Sequence, residues 1–269
     1  MAEAFKNLID AGTVREAAAH LQRAWPDFDA ARFEALALHG LDALEFKARA
    51  LHLCAALEAT LPADFAQAAA VIEAALAPPG VGDDLSLLRS GPQGLAGWVV
   101  WPLGEFVVRR GDAQPQRALQ TLHALTQRHT AEWALRPFIE RHPAITFDTL
   151  AVWATDPSAH VRRLASEGSR PRLPWGLQLK GLIRDPSPTL PLLRALQDDP
   201  SAYVRRSVAN HLNDIAKDHP QRLVQWLRDH LPDASPERRA LLKHACRTLI
   251  KQGHQIGRAS CRERVSSPV

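Results

Sequence analysis

Asp156-Pro157-Ser158-Ala159-His160-Val161-Arg162-Arg163 returns 43 residues later as Asp199-Pro200-Ser201-Ala202-Tyr203-Val204-Arg205-Arg206, with seven of the eight positions identical. A period of roughly 40–47 residues is that of paired-helix solenoids of the HEAT and armadillo type. Each unit of such an array is a helical hairpin that cannot bury its apolar face alone, so units stack and share a core. The phrase therefore predicts an all-α, HEAT-like helical-repeat solenoid, with the basic pairs recurring in register along one concave basic face.

The same reading extends outward. Downstream, apolar spacing predicts helices over 115–129, 131–141, 147–154, 159–167, 188–197, 202–217, 221–230 and 235–252, and a short one near 175–183. Pro and Asp stand at their junctions, where N1 and cap positions favour them. Upstream, Leu8, Ala11, Val14 and Ala18 keep helical spacing, with Thr13 the expected N-cap and Glu16 completing a capping box. Further helices are expected around Phe33–Ala37, over 44–61 up to Pro62, and over 65–76. Between them and the basic half lies a stretch, 77–104, broken by Pro78, Pro79, Gly80, Gly82, Gly91, Pro92, Gly94 and Gly97. It reads as either an ordered loop over the core or a flexible hinge, and its Trp98-Val99-Val100-Trp101 favours packing. The expected organisation is one repeat domain over 1–254, made of N-terminal helices (1–76), the Gly/Pro region (77–104) and basic repeats (105–254).

Charge divides along the same lines. Residues 1–100 hold 7 Lys and Arg against 13 Asp and Glu, whereas 101–254 hold 23 against 15. A basic half of this kind predicts a polyanionic partner. No apolar run approaches the roughly 18 residues of a membrane span, and no secretory leader pattern opens the chain. A cytoplasmic protein with no membrane association is expected. The three cysteines (Cys54, Cys246, Cys261) show no metal-ligand spacing. Twelve histidines form no HxH or HExxH pattern, so no metal and no cofactor is expected. Walker A, GxGxxG and serine-nucleophile motifs are absent.

Val161-Arg-Arg-Leu-Ala-Ser-Glu-Gly-Ser-Arg-Pro-Arg-Leu-Pro-Trp175 and Tyr203-Val-Arg-Arg-Ser-Val-Ala-Asn-His-Leu-Asn-Asp-Ile-Ala-Lys-Asp-His-Pro220 resemble the bacterial DNA alkylation repair glycosylase family AlkC. Shorter phrases fit the same family: Glu45-Phe-Lys-Ala-Arg-Ala-Leu, Glu105-Phe106 and Arg136-Pro-Phe-Ile-Glu-Arg-His-Pro143. The resemblance covers about 1–254. It implies HEAT-like repeats and a monomeric DNA glycosylase of base excision repair. Such an enzyme excises cationic alkylated bases, chiefly 3-methyladenine, from duplex DNA without flipping the base. Some members carry a further C-terminal immunoglobulin-like domain. Residues 255–269 keep no helical pattern, and Ile256–Val265 resembles an in-frame translation of a sequencing adaptor, so the tail is set aside from function.

An alkylated purine is already a cationic leaving group, and its departure leaves an oxocarbenium-like sugar. The barrier then needs electrostatic support from a carboxylate beside the deoxyribose. By the resemblance, Glu140 is the first candidate and Arg136, four residues earlier, faces DNA. Read from spacing alone, the two are a surface i,i+4 pair that supports its helix. Glu105 is the second carboxylate, with a helix N-terminal acid favoured by the macrodipole as its alternative. Asp214 reads as an exposed, solvated residue.

Asp156, Arg162, Asp199 and Arg205 read as residues that tie neighbouring repeats. Arg163 and Arg206, about 100° further round their helices, are freer to meet phosphate. Arg170 and Arg172 lie in a Pro-containing loop with no helix to support, so phosphate contact is expected of them, and Lys217 is a further basic candidate. Trp175 is either core or an aromatic wall that attracts a cationic base. Asn210 contacts the DNA backbone or a neighbouring helix, and Asn-His-Leu-Asn213 is too polar for a buried stripe. The competing function is a non-catalytic helical-repeat scaffold that binds nucleic acid or protein.

Overall fold

The computed structural model describes residues 5–253, and the tail read as foreign lies outside the described residues. Among the described residues every regular element is a helix. Its only ladder pairings are the isolated bridges Leu76–Leu95 and Gly91–Gly94. It divides into two compact units, one ending at Thr146 and the other beginning at Phe147.

The first unit contains α1 (Ala11–Ala24), α2 (Ala30–Leu38), α3 (Phe46–Thr60), α4 (Phe65–Ala75), α5 (Val100–Arg110), α6 (Pro115–Thr126) and α7 (Glu132–Arg141). The N-cap of α1 lies three residues before the expected one. Asp10 is the N-cap, and Thr13 stands at N3, where its hydroxyl completes the box. The carboxylate accepts the Thr13 N–H at 2.8 Å, a charge-assisted bond that wins over the hydroxyl cap. Buried Arg49 on α3 donates to the carbonyls of Ile9, Lys6 and Leu44 and so fixes the chain entry.

The Gly/Pro stretch is the ordered loop of the two alternatives. Leu85, Leu95, Ala96 and Val99 are buried, and its backbone is tied to the end of α6 by Gly80 N–H to Gln127 O and Gly97 N–H to Arg128 O. Gly97 has φ +74° and passes so close to the Leu88 carbonyl that a Cβ would collide. That is why glycine recurs in a segment that is nonetheless packed.

α8 (Pro143–Trp153) is followed in the second unit by α9 (Ala159–Gly168), α10 (Lys180–Arg184), α11 (Leu190–Leu196), α12 (Ala202–Asp218), α13 (Pro220–His230), α14 (Pro236–Ala245) and α15 (Arg247–Lys251). The repeated phrase has one structural meaning in both copies. Asp156 and Asp199 accept the backbone N–H of Ser158 and Ser201, which cap α9 and α12. Arg162 and Arg205 then fold back onto the carbonyls of their own Asp-Pro turns. Arg162 also grips Asp199 of the next repeat with two parallel bonds of 2.6 and 3.0 Å. The expected tie between neighbouring repeats is present.

A third, degenerate copy begins at Ser235, which caps α14, while Arg239 reaches back to the Ala234 carbonyl. Its preceding residues, Asp233-Ala234, lack the Asp-Pro signature, so identity alone does not reveal it. The helix expected over 235–252 is broken at Cys246 into α14 and α15, and Asn213 on α12 caps the new start by accepting the Thr248 N–H at 3.0 Å.

Candidate functional site

α5 and α7 lie against each other in the first unit, and Gly104 permits the approach. A Cβ there would stand 3.2 Å from that of Ala134. The next residue, Glu105, is half-buried and accepts the indole N–H of Trp101 at 3.0 Å. It stands in the second turn of α5, so the alternative of an N-terminal acid stabilised by the macrodipole does not hold. Trp101 lies 5.0 Å from Trp133 of α7 and 5.2 Å from Phe46 of α3 between ring centroids. Trp98 and Phe5 continue this aromatic cluster. The buried indole N–H of Trp133 has no hydrogen-bond partner. A carboxylate walled by electron-rich rings is a setting that favours a cation.

Glu140 is exposed in the last turn of α7 and has no ion pair. An acid near a helix C-terminus is disfavoured by the macrodipole, so Glu140 adds nothing to helix stability. The alternative of a supporting pair with Arg136 fails as well, because Arg136 is fully buried (0 % exposed). The expectation that Arg136 faces DNA is corrected for the same reason. A guanidinium with no exposed surface meets no phosphate.

In the second unit, the loop arginines are not the free cations that the sequence implied. The loop after α9 turns back onto α12. Arg170, 6 % exposed, donates to Glu167 at 2.6 Å and to Asp214 at 2.8 Å. Arg172 grips Asp218 with two bonds of 2.7 Å. Lys217 joins Asp214 at 2.8 Å but keeps a partly exposed ammonium. Asp214 is therefore buried between two cations rather than solvated. Burial alone would raise the Glu167 carboxyl, but Arg163 and Arg170, with a hydrogen bond from Ser207, outweigh it and hold it below the usual carboxylate range.

His211 is buried and donates Nδ1–H to the Ser166 carbonyl at 2.9 Å. Burial pushes its pKa down to about 4. His211 and Asn213 are thus buried polar residues, and they fold inward with a partner each, the Ser166 carbonyl on α9 for His211 and the Thr248 N–H on α15 for Asn213.

The two second arginines of the repeat differ. Arg163 lies over the Tyr203 ring and near Glu167, mostly covered, which corrects the expectation of a free phosphate ligand. Arg206 is exposed with no ion pair. It lines a cavity of about 430 Å³ between α12 and α14, with Ala202, Ala209, Ala240 and His244. Asn210 accepts from His244 Nε2 at 3.0 Å, the neighbouring-helix alternative of its two readings. Burial, Arg247 and Arg206 push the His244 pKa down. Trp175 is 86 % exposed and is no core residue.

Sequence reasoning missed Trp101 and Trp133, although the Trp101-x-x-x-Glu105 spacing was there to be read. It also missed Glu167, which carries no local signal. Among the described residues no group of three His, Cys, Asp or Glu side chains gathers as metal ligands, and no helix is long and apolar enough to cross a membrane.

No family model matches the sequence. The chain is 37 % identical over 238 residues to YhaZ of Bacillus subtilis (strain 168), an uncharacterised protein, covering 87 % of this chain and 61 % of that one. It thus spans about 61 % of the length of this curated relative. Among solved structures it is similar to the alkylpurine DNA glycosylase AlkC of Pseudomonas fluorescens bound to DNA containing an abasic-site analogue. The TM-score is 0.84 and the identity 33 %, covering 97 % of this chain and 69 % of that one. Identity of this order, spread over nearly the whole chain and joined to the same helical-repeat fold, is a family relationship: the chain belongs to the AlkC family.

Proposed function

We propose that the protein is a DNA glycosylase of base excision repair that hydrolyses the N-glycosidic bond of cationic alkylated bases, chiefly 3-methyladenine, in duplex DNA. The base leaves without being flipped out, and the protein works as a monomer in the cytoplasm with no cofactor. The observation that carries this reading is the likeness to AlkC of Pseudomonas fluorescens, whose structure holds DNA with an abasic-site analogue.

The chemistry follows from the two carboxylates. As the glycosidic bond lengthens, positive charge moves from the base to the sugar. Glu140, unpaired and placed where its helix does not reward it, stabilises the oxocarbenium character and orients the attacking water. Glu105, fixed by the Trp101 N–H, holds negative charge against the cationic base among the aromatic rings. The second unit grips the phosphates through Arg206, with Arg172 and Lys217 sharing their charge between carboxylates and DNA.

Incubation with methylated duplex DNA tests this. Free 3-methyladenine should accumulate above the spontaneous rate, and Glu140→Gln should lower release by on the order of a hundredfold while duplex affinity stays near wild type. Salt-sensitive DNA binding without release would favour the scaffold reading. Unchanged release in Glu140→Gln would remove that carboxylate from the mechanism.

A further inference from the structure

We infer that Asp112, in the turn between α5 and α6, is a positioning residue for base release. It holds the end of α7 so that the Glu140 carboxylate stays where the sugar cation develops. The inference rests on the glycosylase reading and adds to it the group that places its central carboxylate.

Glu140 lies in a turn that its own helix holds loosely. Pro137 stands inside α7. A proline has no N–H, so the Trp133 carbonyl one turn earlier receives no helical bond from it. The Glu140 side chain is exposed and has no ion pair. Its place is therefore set by the backbone of the last turn and by whatever grips the residues that follow. Asp112 grips both of the next two. Its carboxylate accepts the His142 Nε2–H at 2.9 Å and pairs with the Arg141 guanidinium at 3.1 Å. Arg141 also turns back on the same helix end, with Nε donating to the Pro137 carbonyl at 3.3 Å. On the buried side, the Phe138 carbonyl accepts the His142 N–H at 2.8 Å and the Thr146 hydroxyl at 3.0 Å.

The turn that carries Asp112 is a firm anchor. A Cβ on Gly111 would stand 2.7 Å from the Phe65 ring and 2.8 Å from the Ala118 Cβ, so α4 and α6 close on the backbone there. The anchor also ties α7 to the helix that carries Glu105. Gly104 meets Ala134 near the start of both helices, and Asp112 meets Arg141 and His142 at their ends. Two such contacts fix α5 against α7, and with them the two carboxylates. Stability is a poor account of this cluster. The Asp112 and Arg141 side chains are 46 % and 41 % exposed, and pairs this open to water contribute little to folding. Charge supplies a second effect. Asp112 neutralises Arg141, which would otherwise set a bare cation beside Glu140 and oppose the cation forming on the sugar.

A double-mutant cycle tests the inference by single-turnover release of 3-methyladenine from methylated duplex DNA. Asp112→Ala should lower the maximal release rate on the order of tenfold, as a misplaced reacting group does. Duplex affinity and the denaturant midpoint should stay near wild type, and Asp112→Glu should restore part of the rate. In a Glu140→Gln background the same Asp112→Ala change should lower release no further, because a residue that acts through Glu140 has nothing left to place. Wild-type release by Asp112→Ala, or an equal fold loss in both backgrounds, overturns the positioning role. Either result leaves the glycosylase reading standing. Absence of release by the wild-type protein overturns that reading, and this inference with it.

Discussion

At the scale of single residues, the informative contrast is between charges the fold uses and charges it leaves idle. Arg136, Arg170 and Asp214 are all buried and serve packing, whereas Glu140 and Arg206 are exposed and unpaired. Position along the chain does not separate the two classes, because an arginine in a loop looks free until its partner arrives from 44 residues away, as Asp214 does for Arg170. Glu105 lies between the classes, fixed by one indole N–H. That bond makes a prediction. Trp101→Phe keeps the ring contacts with Trp133 and Phe46 but removes the donor. A hydrogen bond to a charged group contributes about 1.5–3 kcal/mol, so single-turnover base release should fall by about tenfold or more. If Trp101 served only to pack, the phenylalanine variant would release base at the wild-type rate.

At the scale of elements, the repeated octapeptide was legible because its residues act locally. The Asp carboxylates that accept the Ser N–H and the back-folding arginines all bond within six positions, and α9 and α12 begin at the residues the phrase implies. The third copy was not legible, since Ser235 and Arg239 keep the geometry after the Asp-Pro signature has gone. Nor was the break at Cys246, which depends on a cap supplied by Asn213 from another helix.

The ties between repeats can be ranked by burial. Arg162–Asp199 is nearly enclosed, with the Asp199 side chain 3 % exposed, while Asp198 in the Arg238–Asp198 pair is 47 % exposed. Breaking a buried pair strands a charge, so Asp199→Ala should cost about 3 kcal/mol or more. Asp198→Ala should cost less than about 1 kcal/mol. Urea denaturation of the two variants checks the order, and equal midpoints would show that Arg162–Asp199 does not hold the second unit together.

At the scale of the whole molecule, charge is what the sequence conveyed best and what it assigned least well. The excess of 23 basic over 15 acidic residues in 101–254 is real. Much of it is spent inside the fold on Asp199, Glu167, Asp214, Asp218 and Asp198. Only the remainder can displace counterions from DNA, so affinity should depend on salt less steeply than the count of arginines implies. A slope measurement separates the two populations. Each phosphate contact contributes close to one to the slope of log affinity against log salt, so Arg206→Ala should lower that slope by about one and leave the unfolding midpoint unchanged. Arg170→Gln should behave in the opposite way, lowering the midpoint because Glu167 and Asp214 lose their shared cation, with little change of slope in the folded protein. If Arg170→Gln instead flattened the salt dependence as Arg206→Ala is expected to, the clamp on Glu167 and Asp214 would have to open in the complex and release that arginine to the phosphates.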